Sequence, residues 1–448
     1  MKGRRRTTAQ RVLTGVLLIS CLDGCSILPT RPVAGPYDHA FIDYWPSPKN
    51  SRRSAPLSLA IKDNIDLKGV VTTAGSEYVA KTSAPASRDA DCLAIARQRN
   101  VRIVGKTNLS EFAVAPSGLN DYFGTPKNPF SQDRNLLPGG SSSGSAVAVA
   151  DGMADVAFGT DTAGSIRVPA AGCGIVGLKT TFGLVSLKGM FPIEAKHLDT
   201  VGPMGKDIAH VVQGMDLLQK GFEARYRRAV AAKPSARGIK IGRLYLSGTD
   251  PQIDQAVDKA LAQAGFHVTV LDQAFRAKWD QAKADGNAVA AAGAWLSDRK
   301  YAFKWGVRAR TLAAIALGSI AYATNYHGAL GRQPAWRHAL SEAFKQVDFI
   351  ALPTLQTLPP PIPAVTKIGL LEARVLNLQN TAAVNFAGNP ALAVPIPVDG
   401  KTVPLTSLQL VGPPLSEAEL LNAGRLIEAA RSRFDRPVHV HAREIRTP

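Results

Sequence analysis

The spacing of apolar positions switches repeatedly along this chain between strand-like runs and helical repeats. LSLAIKDNID opens the series as a short strand with Lys62 at its end. SRDADCLAIARQRN has helical spacing and gives way to the strand-like VRIVGKTN, and IKIGRLYL predicts a further strand. DPQIDQAVDKALAQAG then carries Asp250 as N-cap, Pro251 at the first helical position and Ile253, Val257 and Leu261 on one face. Gly265 ends that helix and FHVTVL predicts the next strand. SEAELLNAGRLIEAA begins with a capping-box pair, Ser416 and Glu419. Strands alternating with helices predict an α/β fold with a largely parallel sheet. Residues 275–340 are helical in pattern throughout and hold Trp279, Trp295, Trp305 and Trp336. Aromatics at such spacing are expected in a core, and this variable helical segment is the candidate for shaping a substrate pocket.

The chain has 448 residues, 45% hydrophobic and 20% charged, an ordinary globular composition with material for a large core. No internal repeat is visible, and no run of apolar residues is long enough to span a bilayer. The first 25 residues read as a leader: basic MKGRRRTTAQR is followed by the short apolar VLTGVLLISCL. LISC and LDGC each resemble a bacterial lipobox, which makes Cys21 and Cys25 candidates for lipidation. Cys25 allows the longer apolar core, whereas Cys21 avoids Asp23 inside the box; a plain cleaved secretory peptide is the alternative. Residues 26–55 are rich in proline and polar residues and read as a tether, leaving 56–448 as one domain. Export to the cell envelope or periplasm is therefore expected, with a lipid anchor at the membrane.

The formal net charge is +18; five basic residues and one acid in the leader leave about +14 afterwards. That balance suits an anionic envelope surface. Nucleic acid is not expected as a partner, because the basic residues are scattered and match no recognition motif. Beyond the leader only Cys92 and Cys173 remain, too few for a disulfide framework, and a bridge between them stays open. The eight histidines have no ligand spacing, so neither a metal nor an organic cofactor is expected.

LPGGSSSGSAVAVADG, from Leu137 onward, carries the densest chemistry. A flexible linker does not fit, because the run leads directly into helix-forming residues. A phosphate loop would need a lysine that is absent. GSSSG matches the nucleophile-elbow pattern and would make Ser142 the nucleophile of an α/β-hydrolase-type esterase. That elbow needs a strand before Gly140, where SQDRNLLPG offers none, and a histidine, for which only His439 or His441 in the polar tail are placed.

A fuller account takes in VAFGTDTAGSIRVPAAGCGIVGLK, which holds Ser165 in a turn after a short strand, together with Lys62 upstream. These blocks, with GKTNLSEFA, GTPKNP, NFAGNPALAVPIP and PLTSLQLVG, occur in one order over residues 56–432. Taken together they resemble the amidase signature family of serine hydrolases. The resemblance implies a single large α/β domain with a mixed central β-sheet flanked by helices. It also implies an amidase that needs no cofactor and cleaves a small-molecule or peptide carboxamide, releasing ammonia or an amine. The family includes the glutamine-using subunit of the transamidosome, which acts on charged tRNA in the cytoplasm; the leader points away from that role.

Carried over position by position, the resemblance makes Ser165 the nucleophile, Ser141 the proton relay after a cis peptide from Gly140, and Lys62 the base. Backbone N–H groups of Thr162, Ala163, Gly164 and Ser165 form the implied oxyanion hole. Ala163 replaces the commoner glycine, keeping the N–H but losing easy access to positive φ. GLKTT replaces the family's Gly-Leu-Lys-Pro. Ser142 and Ser143 are expected to hold their loop by hydrogen bonds. Asp161 and Arg167 either orient the nucleophile or form a buried structural pair, and Asn108 and Glu111 are expected to be structural. A catalytically idle envelope binding protein with the same fold is the alternative from a different class.

Overall fold

The computed structural model describes residues 39–45, 57–130, 135–362, 368–399, 403 and 405–434. The leader cysteines Cys21 and Cys25, most of the tether, and His439 and His441 lie outside the described residues. The frame is one sheet of eleven strands. They are β1 (Phe41–Tyr44), β2 (Ser58–Lys62), β3 (Arg102–Thr107), β4 (Val156–Asp161), β5 (Val176–Lys179) and β6 (Thr200–Gly205). The others are β7 (Lys240–Arg243), β8 (His267–Val270), β9 (Phe349–Pro353), β10 (Ala391–Pro397) and β11 (Leu405–Val411). Across the sheet the order is β1-β3-β2-β4-β6-β5-β10-β11-β9-β7-β8.

Four neighbour pairs are parallel, β2 with β3 and β4 and β7 with β8 and β9. The other six are antiparallel. The sheet is therefore mixed, and the largely parallel arrangement expected from helix–strand alternation holds only in two patches. Those patches are where a helix carries the crossover; the middle is built by antiparallel neighbours such as β10 and β11, paired from Ala391–Val411 to Pro397–Leu405. Pro395 and Pro397 are tolerated in β10 because its pairing with β5 stops at Ala393, so that side needs no amide from them.

Side-chain size sets which helices reach the sheet. Leu59 and Ile61 of β2, with Val156 and Phe158 of β4, belong to the large core that also takes in helices Ile208–Leu218, Pro251–Ala264 and Glu417–Phe434. The intervening residues are small, Ala60 and Ala157, and meet Ala146 to Val149 of helix Ser143–Ala150. Every residue from Ser143 to Val149 in that helix is buried, as a helix of small residues without a polar face requires. The serine run is thereby seated directly against the ends of β2 and β4.

The cap signals are realised in part. Asp250 accepts from the Gln252 amide, Pro251 opens the helix, and Gly265 closes it in the left-handed region at φ +83°. Ser416 precedes Glu417–Phe434, but its hydroxyl donates to the Pro413 carbonyl at 2.7 Å instead of forming the expected capping box. Residues 275–340 lie in the helices Gln273–Asp298, Ala309–Thr324 and Tyr326–Ala343 with their connections. Trp279 and Trp336 are core, edge to face at 5.7 Å, with Trp336 Nε1 donating to the Ala383 carbonyl at 2.8 Å. Trp295 is half-buried, and Trp305 departs from the expectation by being largely exposed. Cys92 and Cys173 are both buried free thiols, so the bridge left open is not formed.

Candidate active site

Lys62 is the last residue of β2, and Thr160 and Asp161 end the neighbouring parallel strand β4. The C-terminal ends of parallel strands are the usual place for a site, because connecting loops converge there. Helix Ser143–Ala150 brings the serine run to the same ends. Lys62 Nζ is hydrogen-bonded to Ser141 Oγ at 2.8 Å and to Thr160 Oγ1 at 2.8 Å. Asn64 Nδ2 donates to the same Thr160 oxygen at 3.1 Å. All four side chains are buried. Burial pushes the Lys62 pKa down to about 7, against the opposite pull of Asp161 and Asp199.

The peptide between Gly140 and Ser141 is cis. Position 140 has no room for a side chain: a Cβ there would lie 2.6 Å from the Gly118 nitrogen and 2.7 Å from the Ala115 oxygen. The Gly140 amide donates to the Pro116 carbonyl at 2.8 Å, and the Gly144 amide to Asn108 at 3.0 Å. Asn108 also donates its side-chain amide to His39 and Gly124 carbonyls, a structural tie between three segments. Glu111 accepts from Thr311 Oγ1 and the Arg308 amide, and burial pushes its carboxyl up.

Ser142 joins the serine run to the second loop, its amide donating to the Ser165 carbonyl at 3.1 Å. Its hydroxyl is fully buried and turned to the Thr160 carbonyl, a long 3.4 Å contact. Among the described residues just before Gly140, from Asn135 onward, there is one bridge residue, Leu136, and no strand leading into the turn as a nucleophile elbow requires. Ser143 departs from its expected role: its buried hydroxyl has no partner among the described residues.

Ser165 stands between β4 and helix Arg167–Cys173, where the chain must turn sharply. Gly164 is at φ +138°, and a Cβ there would lie almost on Thr381 Oγ1, so only glycine fits. Ala163, by contrast, is not among the residues with positive φ, so alanine in place of glycine carries no backbone penalty. The amides of Ala163, Gly164 and Ser165 make no hydrogen bond to any described residue, and three donors of one turn are left available. Thr162 Oγ1 donates to Asp199 at 2.7 Å, and Thr381 Oγ1 donates to the Ala163 carbonyl.

Asp161 and Arg167 are the buried pair beneath this turn. Arg167 holds Asp161 through both Nε and Nη2, at 3.1 and 3.0 Å. Its remaining donors go to Gln409, Asn385 and the Thr381 carbonyl. Asp161 in turn accepts from the Ile166 amide at 3.1 Å and from Asn385 Nδ2 at 2.8 Å. Burial alone would raise the Asp161 pKa, but Arg167 outweighs it and holds the carboxyl at about 2. Arg167→Met should therefore lower unfolding stability by about 3–5 kcal/mol, since it leaves a buried carboxylate without its partner. A denaturant titration of the variant checks this.

Departures from the family pattern are accommodated locally. Thr180, where the pattern has proline, donates its hydroxyl to the Val201 carbonyl at 2.7 Å, and the Thr181 amide donates to Glu417 at 2.7 Å. Lys179 is a second buried lysine, its Nζ donating to the Thr180 and Asn389 carbonyls; burial and then Arg167 bring its pKa to about 7. Thr160, Asn64 and Asp199 were not singled out by sequence reasoning, because nothing local marks them as partners of Lys62 and Thr162. Among the described residues no cluster of histidine, cysteine or carboxylate side chains is placed to hold a metal ion.

Several known proteins are similar to this chain in sequence or fold. The glutamyl-tRNA(Gln) amidotransferase A-subunit of Halobacterium salinarum is 33% identical over 416 residues, covering 83% of this chain and 94% of its own. The 2-amino-5-chloromuconic acid deaminase of Comamonas testosteroni is 34% identical over 398 residues, 83% of this chain and 81% of its own. The crystal structure of the glutamyl-tRNA(Gln) amidotransferase A-subunit from Thermotoga maritima superposes with a TM-score of 0.72 at 26% identity, covering 92% and 91% of the two chains. With the Amidase family model matching residues 55–421 as well, the chain belongs to the amidase family and is an enzyme that hydrolyses an amide C–N bond.

Proposed function

We propose that Ser165 is the nucleophile, Ser141 the proton relay and Lys62 the base of this hydrolysis. The observation that carries the reading is the buried Lys62–Ser141 hydrogen bond at 2.8 Å, on a lysine whose pKa is brought to about 7. A neutral amine has one lone pair and two N–H groups. One N–H is engaged by Thr160 Oγ1, which Asn64 holds in place, so the lone pair can face Ser141. The Ser141 hydroxyl then donates to Lys62 and accepts the proton leaving Ser165. Ser165 Oγ attacks the carboxamide carbon, and the negative oxygen that forms meets the free amides of the 162–165 turn. Protonated Lys62 returns its proton through Ser141 to the departing nitrogen, and ammonia or an amine leaves. Water repeats the sequence on the acyl-enzyme and frees the acid and Ser165. Peptide mapping after reaction with a fluorophosphonate should find the label on Ser165; a label on Ser142 overturns the assignment.

The substrate is a small-molecule or peptide carboxamide, a class supported by the breadth of chemistry in the relatives' names, from an amidotransferase to a deaminase. The amidotransferase relatives, themselves subunits, favour a second reading in which this chain works beside a protein partner. Copurification from the native source separates the two.

We further propose that the enzyme is exported and lipid-anchored, a reading supported by the basic–apolar leader and its two lipobox-like cysteines. Mass spectrometry of the mature N-terminus should find a diacylglyceryl group on Cys21 or Cys25. An unmodified N-terminus beyond Cys25 would reduce the protein to a soluble exported one.

A further inference from the structure

The sequence Arg299 to Arg308 (RKYAFKWGVR) links helices Gln273–Asp298 and Ala309–Thr324 and presents the two most exposed aromatic side chains among the described residues. Phe303 is 93% exposed and Trp305 74% exposed. Phe303 also sits in the left-handed region at φ +65°, unfavourable for a residue with a bulky side chain. An apolar side chain held outward at a strained position calls for a reason.

The segment is not loose. Ala302, Lys304 and Val307 donate their amides to Arg299, Tyr301 and Lys304, a succession of tight turns. At one end Tyr301 stacks on Phe112 at 4.9 Å and on Phe191 at 5.8 Å. At the other, Val307 is buried with Ala74, Val79 and Phe112, and Arg308 is paired with Glu77 at 2.5 Å. The exposed rings are thus displayed on a fixed platform.

The charges facing solvent around them are basic. Arg299, Lys300 and Lys304 are exposed neighbours in sequence, and Lys81 Nζ, paired with the buried Glu77 at 2.7 Å, stands 4.7 Å above the Trp305 ring. Aromatic rings ringed by lysine and arginine suit the boundary of an anionic bilayer, where rings enter the headgroup region and cations meet lipid phosphates. No described helix is long and apolar enough to cross a membrane, so such a contact would be peripheral.

We propose that residues 299–308 form an interfacial contact with an anionic lipid bilayer, with Phe303 and Trp305 as the inserted side chains and Lys81, Lys300 and Lys304 as the headgroup contacts. The platform places this contact next to the site: Tyr301 stacks on Phe191, whose amide donates to the Asn64 carbonyl at 2.8 Å, and Asn64 supports Thr160 and Lys62. The proposal does not depend on which serine is the nucleophile.

The test uses the full chain and vesicles of phosphatidylcholine with or without phosphatidylglycerol, their acyl chains brominated to quench tryptophan. Wild type should be quenched in anionic vesicles, and Trp305→Phe should lose most of that quenching while remaining bound. The double variant Phe303→Ser/Trp305→Ser should bind about tenfold more weakly, and added salt should weaken wild type. The quenching comparison isolates Trp305 from any binding by the leader and stands even if the double variant folds poorly. Equal quenching of wild type and Trp305→Phe overturns the proposal, as does absence of anionic-lipid preference. A dimer in solution that the double variant dissolves, without lipid quenching of Trp305, would assign the patch to a second copy instead.

Discussion

Ser165→Ala should abolish amide hydrolysis and labelling by a fluorophosphonate, with a fall in kcat on the order of 10⁴-fold or more. Ser142→Ala should keep the labelling and most of the turnover. The contrast follows from where each hydroxyl is held. Ser165 stands at the mouth of a turn whose neighbouring amides are free to receive a developing oxyanion, and it is only partly buried. Ser142 is fully buried, with its hydroxyl turned to the Thr160 carbonyl, where a substrate carbonyl has no path to it. What Ser142 contributes to the site is its backbone amide, which binds the Ser165 carbonyl, and alanine keeps that amide. The loss in Ser165→Ala is chemical, so its thermal unfolding should match wild type. If Ser142→Ala is the dead variant while Ser165→Ala turns over normally, the elbow reading of GSSSG is correct. If neither variant is affected and neither serine labels, the hydrolytic roles proposed for these residues fail.

How much of this was legible in the chain depended on how local each signal is. Lys62 at a strand end, the glycines around Ser141, and Ser165 in a turn after β4 are each fixed by a few neighbouring residues, and the blocks carrying them could be read directly. The sheet was read less well. Helix–strand alternation signals parallel crossovers, but it says nothing of β6, which enters antiparallel between β4 and β5. The supports of the site were illegible for the same reason. Arg167 is satisfied by Gln409 and Asn385, more than 200 positions away, and Thr162 by Asp199 in another loop. Ser143 shows the opposite failure: a serine in a serine-rich turn invites a hydrogen-bonding role, yet tight packing of helix Ser143–Ala150 leaves its hydroxyl without a partner among the described residues.

The pH dependence of kcat/KM should show a single acid-side fall with a midpoint near 7, the value to which burial brings Lys62. The sign follows from the role: the amine is a base only when neutral, so activity is full above this pKa and drops tenfold per pH unit well below it. An exposed lysine near 10.4 would be almost wholly protonated at neutral pH, so desolvation is what makes the mechanism possible. Asp161 and Asp199 work the other way by favouring the ammonium, and the engagement of Asp161 by Arg167 limits that pull. Lys62→Ala should lose roughly 10²–10⁴-fold in kcat/KM, the usual range for removing a general base. Lys62→Arg should not recover it, because a guanidinium stays charged and cannot accept a proton. Lys179 is the internal control, since burial brings its pKa to about 7 as well, yet its Nζ is tied to the Thr180 and Asn389 carbonyls and not to Ser141. Lys179→Met should therefore keep the acid-side fall in whatever activity it retains, whereas Thr160→Val, which removes the hydroxyl facing Lys62 Nζ, should displace it. A profile that stays flat to about pH 5, with wild-type rates in Lys62→Ala, would remove the lysine from the mechanism.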